Sequence, residues 1–271
     1  MNIYKLNYDN NADANADFLD KGVTQEVEFE GVKSIVNANG TQALVDMGKV
    51  VETAGTYDPD GHVITPPVYY DGIFYLCYTV VHQHESVTKD TPNYLITSRD
   101  LSGPWSNPVF INSSGFDPSL FHDVDGKKYW LNMVWDHREG HHPFYGIALQ
   151  QYDQVQGSLV GESEIIFKGS KIGLTEGPHM YKRDGLYYLL TAEGGTEYNH
   201  AVTLARSKEI LGPYEVHPQN PILTSNGDES LVLQKAGHAS LVETTKGEWY
   251  MAHLCGRPIP GTRRCNLGRE T

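Results

Sequence analysis

Basic residues are scarce in this 271-residue sequence, where 21 Lys and Arg stand against 34 Asp and Glu and give a formal net charge of −13. A surface that binds nucleic acid needs basic residues to neutralise phosphates, and anionic membranes attract basic residues for the same electrostatic reason. The charge balance therefore argues against nucleic acid and against a membrane as partners. It is consistent with a neutral small-molecule or carbohydrate ligand.

Long apolar runs and cysteines are also scarce. The longest strongly apolar run, Ile73–Val81, is far shorter than the roughly 20 residues that span a bilayer, and Met1–Phe18 has no apolar signal-peptide core. The three cysteines, Cys77, Cys255 and Cys265, form no Cys-x-x-Cys pair. We therefore expect neither a disulfide framework nor a zinc site, and we expect a cytoplasmic protein with reduced thiols.

Glycine turns recur along the chain, each followed by an aromatic-rich segment. The turn glycines are separated by 54, 59 and 62 residues, and they are Gly72, Gly126, Gly185 and Gly247. Asp-Gly between alternating apolar residues favours a hairpin turn, because glycine tolerates a positive φ. Further strands are predicted between these turns, at Tyr94–Ser98, Gly146–Gln150 and Ala201–Ala205.

An interval of this length holds about four short strands, which is one blade of a β-propeller. The sequence therefore predicts an all-β, five-bladed β-propeller with irregular or incomplete first and last blades. We interpret it as a single domain. Residues 1–55 are an atypical segment that could form an irregular first blade, and residues 56–271 form blades two to five.

One register of the repeat carries ionisable residues. Counting nine residues back from the last three turn glycines gives Asp117, Glu176 and His238. A single such residue near a turn is usually a solvated loop residue, but the first strand of each propeller blade lines the central channel. Three in one register therefore predict a clustered polar site. Two carboxylates and a histidine in a partly desolvated pocket suit proton-transfer chemistry.

Several motifs resemble glycoside hydrolase family 43, in its β-xylosidase and α-L-arabinofuranosidase branch, from about residue 66 to residue 271. They are Asn112–Asp123, Trp135–Arg138, Leu174–His179, Leu190–Thr196, Gly237–Ala239 and Leu267–Thr271. The resemblance implies inverting hydrolysis of terminal pentose from xylo- or arabino-oligosaccharides. It also implies that no cofactor is required, with a structural Ca²⁺ on the propeller axis as the one cation to consider.

The resemblance further implies roles for individual residues. Glu176 is expected to be the general acid that protonates the departing glycosidic oxygen, and Asp117 to orient that acid and adjust its pKa. His238 is expected near the axis, where it would hold water or a cation beneath the sugar, and Arg269 to hydrogen-bond sugar hydroxyls. Three further positions are expected to shape the sugar subsite: Phe116, Trp135 and Thr196.

The N-terminal part of the sequence departs from the family pattern. The family places its general base in a Pro-Asp-Pro-Ser segment near the N-terminus, and nothing in residues 1–54 resembles it. Counting nine residues back from Gly22 gives Asp13, a weak candidate, so the base is unassigned. Val63–Pro66 also stands where the family usually has Trp-Ala-Pro. We therefore expect a first blade that is diverged or missing, and no C-terminal β-sandwich after Thr271.

Three readings of the function stay open at this point. The first is an exo-acting glycosidase. The second is a catalytically inactive, truncated propeller that binds sugar or retains only the scaffold. The third is an enzyme in which another chain, such as a second copy in a homo-oligomer, supplies the first blade. Glu193, in the Leu190–Thr196 motif, either borders the pocket or hydrogen-bonds a loop backbone.

Overall fold

A computed structural model describes residues 68–82, 88–243 and 249–256 in full. It describes the backbone alone for strands at 25–29, 32–36, 43–44, 62–64, 257–258 and 265–266. Twenty strands and no helix lie in these described parts of the chain. The prediction that Arg269 and Asp13 belong to the site falls on residues outside them.

Five antiparallel sheets follow one another in chain order. The first contains β1 (Gln25–Phe29), β2 (Val32–Val36) and β3 (Ala43–Leu44). The second contains β4 (His62–Ile64), β5 (Val68–Tyr70), β6 (Ile73–Val80), β7 (Asn93–Ser98) and β8 (Val109–Asn112). The third contains β9 (Gly115–His122), β10 (Lys128–Trp135), β11 (Phe144–Asp153) and β12 (Ser158–Phe167). The fourth contains β13 (Glu176–Arg183), β14 (Leu186–Glu193), β15 (Ala201–Ser207), β16 (Glu215–Val216) and β17 (Leu223–Thr224). The fifth contains β18 (Gln234–Glu243), β19 (Trp249–Pro258) and β20 (Cys265–Asn266).

Two of the predicted hairpin turns, at Gly72 and Gly185, have the expected backbone conformation, whereas Gly126 lies in a five-residue connection between β9 and β10. Asp71 and Gly72, between β5 and β6, have φ of 50° and 76°, and Asp184 and Gly185, between β13 and β14, have 49° and 75°. Positive φ at both central residues is the type I′ turn, whose twist matches that of the strands it joins. The three predicted intervening strands lie within β7, β11 and β15, which confirms them, whereas Gly247 lies outside the described residues.

Apolar side chains pack between consecutive sheets. Between the second and third sheets the cluster includes Tyr75, Leu95 and Trp130. Between the third and fourth it includes Leu131, Met133, Ile147, Leu149, Met180 and Leu189. Burying such a side chain stabilises the fold by about 1.5–3 kcal/mol relative to leaving it exposed. The second, third and fourth sheets are thus packed face to face, as in the blades of a propeller.

The first strands of the last three sheets are bulged near their starts, once in β9 and in β13 and twice in β18. In β9, residues 117 and 118 lie opposite the single residue Asn132 of β10, and in β13 residues 177 and 178 lie opposite Thr191 of β14. In β18 the register shifts by one residue between 234 and 237 and by one more between 237 and 239. Bulges bend a strand and redirect its side chains, and they are frequent next to active sites.

The bulges correct the register that was counted from the turn glycines. The bulge residues with positive φ are Asp117 (55°) in β9, Gly177 (57°) in β13, and both Lys235 (56°) and His238 (46°) in β18. Glu176 therefore lies one residue before the position equivalent to Asp117. The count fails because the connection after β9, residues 123–127, is longer than that after β13, residues 184–185, and the extra residue between the bulge and the end of β13 offsets this only in part.

Candidate active site

The topology brings the predicted ionisable residues to one end of the sheets. In an antiparallel sheet the start of the first strand, the end of the second and the start of the third lie at the same end. Asp117, Glu176 and His238 all lie near the starts of first strands, β9, β13 and β18. The predicted polar cluster therefore lies at one end of the propeller.

Asp117 is buried, with 6% of its surface exposed. Its Oδ2 lies 4.0 Å from Nδ1 of His238, and the backbone N–H of Gly177 donates a hydrogen bond to its carboxylate. Burial raises the pKa of Asp117 above its ordinary value, and His238 and the Gly177 N–H offset part of that rise. This carboxylate thus has two partners that favour its charged form.

Glu176 is 9% exposed. No described group that favours its charged form contributes to its pKa, in contrast to Asp117. Burial raises its pKa well above the ordinary value, and the negative charge of Asp117 raises it further. The surroundings of Glu176 therefore favour the protonated carboxyl. A carboxyl that keeps its proton near neutral pH can act as a general acid.

His238 packs closely on the backbone of the neighbouring sheet. A Cβ on Gly177 would lie 2.8 Å from Nε2 of His238, closer than real Cβ contacts come. Gly177 also has the positive φ that side chains disfavour. Glycine at this position therefore lets the imidazole approach Asp117, and a side chain there would displace it.

Two buried histidines lie near His238, and the count from the turn glycines missed both. His179 is 8% exposed, and burial, with a smaller contribution from His238, lowers its pKa to about 3. His200 is fully buried, its Nδ1 lies 2.9 Å from the carbonyl oxygen of Lys235, and burial lowers its pKa to about 4. Both imidazoles are therefore neutral at neutral pH, and neither supplies positive charge to the two carboxyls. The place of His179 in the Leu174–His179 motif was the available signal for it.

An aromatic cluster lies directly beside Asp117. The ring centres of Phe116 and Trp135 are 5.8 Å apart, and Phe144 lies 6.2 Å from Phe116 and 5.4 Å from Trp135. The ammonium nitrogen of Lys89 lies 4.9 Å from the Trp135 ring centre, within the range of a cation–π contact. The structure thus brings together two of the predicted subsite residues and adds Phe144, while their role toward sugar stays a prediction.

A cleft of about 430 Å³ adjoins this cluster at the same end of the sheets. It is lined by His141, His142, Phe144, Tyr145, Lys168 and residues 172–175. Neither Asp117 nor Glu176 lines it. The cleft meets the candidate site through Phe144, which contacts Phe116 and Trp135, and through Thr175, which directly precedes Glu176.

Thr196, a predicted subsite residue, is not part of the buried cluster. Thr196 lies exposed in the turn after β14.

No group of three or more His, Cys, Asp or Glu in the described part of the chain is arranged to hold a metal ion. Across the same residues, no helix has the length and apolar character needed to span a membrane.

Known proteins resemble this chain in both sequence and fold. The model of the family Glycosyl hydrolases family 43 matches residues 43–271. Xylosidase/arabinosidase 43B of Humicola insolens is 57% identical over 198 residues, which cover 73% of this chain and 37% of that protein. Beta-xylosidase of Bacillus subtilis is 54% identical over 211 residues, covering 75% of this chain and 40% of that protein.

Among solved structures, the xylan beta-1,4-xylosidase of Bacillus halodurans superposes with a TM-score of 0.74 and 53% identity. The match covers 87% of this chain and 44% of that one. The predicted all-β, five-bladed β-propeller is thereby confirmed. The chain spans about two fifths of the length of the relatives that it matches.

Proposed function

The chain belongs to glycosyl hydrolases family 43, and we propose that it removes terminal xylose or arabinose from xylo- or arabino-oligosaccharides. The observation that carries this proposal is the pair of buried carboxyls at the starts of β9 and β13. Of the two, Glu176 has its pKa raised well above the ordinary value by burial and by Asp117. The names of the relatives, which include xylosidase and arabinosidase, support the pentose substrate.

In this proposal Glu176 is the general acid. It transfers its proton to the glycosidic oxygen as the bond from that oxygen to the anomeric carbon breaks, so that the leaving group departs as a neutral alcohol. Asp117 keeps the proton on Glu176 through its negative charge and is itself held by His238 and the Gly177 N–H. Phe116 and Trp135 present an aromatic wall to the sugar ring.

Water completes the reaction by adding to the anomeric carbon from the opposite side of the ring, which inverts its configuration. A second carboxylate takes the proton of that water, at about 6.5–9.5 Å from the acid in inverting glycosidases. Asp13 is the candidate that the sequence offers for this base, and it lies outside the described residues. Arg269, proposed to bind sugar hydroxyls, lies outside them as well.

A structural Ca²⁺ near His238 fits the described donors poorly. Ca²⁺ takes six to eight oxygen ligands, whereas the described groups around His238 are one carboxyl, that of Asp117, and the imidazoles of His179 and His200. We therefore assign no step to a cation. Homo-oligomer formation and a cytoplasmic location stay proposals, which sedimentation and cell fractionation would test.

The test is hydrolysis of an aryl β-xyloside and an aryl α-arabinofuranoside, compared with methyl β-xyloside, by the chain and by Glu176→Gln. Loss of a general acid lowers the rate by about 10²–10⁴-fold, and it matters least for a leaving group that needs no protonation. We therefore expect a loss of about 10³-fold on methyl β-xyloside and a much smaller one on a dinitrophenyl xyloside. Glu164→Gln, at an exposed position of β12, is the matched control.

A contrary result would favour the second reading of the sequence. If neither the chain nor the variant turned over any of these substrates, while both unfolded cooperatively on heating, the glycosidase proposal would be wrong. Binding of xylose and arabinose oligosaccharides would then distinguish a sugar-binding propeller from a scaffold alone. Equal losses on all leaving groups would argue against Glu176 as the acid.

A further inference from the structure

Glu193 is a buried carboxylate with no role in the mechanism above. It is the last residue of β14 and has no exposed surface. Its neighbour Ala192 pairs directly with Glu176 across the sheet. Since successive residues of a strand point to opposite faces, Glu193 lies on the face away from Glu176.

All the contacts described for the Glu193 carboxylate hold the segment that leads into Glu176. The backbone N–H of Ser170 donates to its Oε1 at 2.7 Å, and the Thr175 hydroxyl donates to the same oxygen at 3.2 Å. The Ser170 hydroxyl donates to Oε2. A buried carboxylate is costly unless hydrogen bonds satisfy it, and here both oxygens are used by residues 170 and 175.

A second attachment ties the same segment to the residue after Glu193. The backbone N–H of Gly194 donates to the carbonyl oxygen of Gly173 at 2.8 Å. Between these attachments Leu174 has a φ of 54°, a conformation that a leucine keeps only where its surroundings fix it. At the beginning of the segment, a Cβ on Gly169 would overlap the Thr175 hydroxyl, so the segment is closely packed there.

We propose that Glu193 is a positioning residue for the general acid, a role that rests on the glycosidase function proposed above. Its carboxylate fixes residues 170–175 against the end of β14, and Thr175 passes that constraint directly to Glu176. Residues 172–175 also form one wall of the cleft beside the aromatic cluster. Glu193 therefore determines where the acid stands relative to the cleft without contacting substrate.

The chemistry of the contacts explains why glutamate suits this position. Hydrogen bonds to an ionised acceptor are roughly twice as strong as bonds between neutral groups. Glutamine keeps the shape and one acceptor oxygen, so it weakens the attachment. Alanine leaves the Ser170 N–H and two hydroxyls without their acceptor in the interior.

The first experiment measures kcat and KM of Glu193→Gln, Glu193→Ala and Ser170→Ala on methyl β-xyloside and on a dinitrophenyl xyloside. Misplacing a catalytic group by about 1 Å costs about 10²-fold in rate. On methyl β-xyloside we expect kcat to fall by about 10²-fold in Glu193→Ala and by about 10-fold in Glu193→Gln and Ser170→Ala. The losses on the dinitrophenyl substrate should be several-fold smaller, with little change in KM. Glu164→Gln is again the control and should leave both substrates unaffected.

A purely structural role for Glu193 would give a different pattern. Equal losses on both leaving groups, or no loss in Glu193→Gln and Ser170→Ala, would overturn the proposal. Should Glu193→Ala fail to fold, those two milder variants still decide the question. The pH dependence of kcat adds a further readout, because a displaced Glu176 gains solvent and its alkaline limb should then move to lower pH.

The second experiment does not depend on turnover. It measures the change in melting temperature caused by Glu176→Gln at about pH 8, where an unfolded carboxyl is ionised, in the wild-type chain and in Glu193→Gln. If Glu193 holds Glu176 in its buried position, the change should be smaller in the Glu193→Gln background. The same change in both backgrounds would overturn the inference. Absence of turnover by the wild-type chain would instead overturn the proposed function.

Discussion

The starts of β9 and β13 use the same backbone device with opposite electrostatic results. Each strand begins with a one-residue bulge whose second unpaired residue is proline, Pro118 in β9 and Pro178 in β13. The first bulge residue is Asp117 in one strand and Gly177 in the other. The two strands thus place a carboxylate and a bare backbone N–H at equivalent positions.

This difference separates the two acids. The N–H of Gly177 and the imidazole of His238 both favour the charged form of Asp117, whereas Glu176 has only burial and a negative neighbour, which both favour its protonated form. Neighbouring titratable groups whose surroundings differ in this way commonly take different roles in catalysis. Gly177, in the bulge of β13, is therefore as much part of the site as the two carboxyls.

Removing the charge of Asp117 should have the largest effect, because it removes the electrostatic difference between the two carboxyls. In Asp117→Asn, Glu176 loses the negative neighbour that raises its pKa, and His238 loses the carboxylate that lies 4.0 Å from its Nδ1. We expect kcat on methyl β-xyloside to fall by about 10³-fold, and the alkaline limb of the pH–rate profile to move to lower pH. Asp125→Asn, in the exposed connection between β9 and β10, is the control. An alkaline limb that stayed in place would show that Asp117 does not set the pKa of Glu176.

Gly177→Ala should have the next largest effect. The new Cβ would lie 2.8 Å from His238 Nε2 and would push the imidazole away from Asp117. We expect a loss of about 10²-fold in kcat, as for other displacements of about 1 Å. Gly185→Ala tests the backbone contribution separately, because that glycine also has a positive φ but no atom within 4 Å of the added Cβ. Equal losses in both variants would mean that backbone strain, rather than displacement of His238, is responsible.

The sequence was a good guide to the blades, because their signals are local. A tight Asp-Gly turn followed by alternating apolar residues needs only a few neighbouring positions, so the turns at Gly72 and Gly185 and the strand β15 were predictable. The positions of the bulges could not be predicted from the sequence. Their position depends on the length of the connection between two strands, which is two residues in one sheet and five in another, and the count consequently misaligned Glu176 by one residue.

Contacts between distant parts of the chain were the least predictable. Glu193 accepts hydrogen bonds from Ser170, 23 residues earlier, and Phe144 joins an aromatic cluster begun by Phe116 on another strand of its sheet. Neither contact follows from a local pattern. The loop-bonding alternative for Glu193 agrees with the structure, but the sequence offered no means of choosing it.

The smallest expected effect is that of Glu176→Gln on stability, which is measured without turnover. Burial raises the folded-state pKa of Glu176 above its unfolded value. The protonated group therefore contributes stability that is fully present below about pH 4, where an unfolded carboxyl is also protonated, and is lost as the pH rises through the folded pKa. Glutamine keeps the shape and stays neutral. Glu176→Gln should thus match the wild-type chain near pH 4 and exceed it at alkaline pH by about 1 kcal/mol, or roughly 2–4 °C in melting temperature. Calorimetry across this range checks the sign, and a variant that is less stable at alkaline pH would mean that the ionised Glu176 carboxylate is stabilised by contacts that offset its burial.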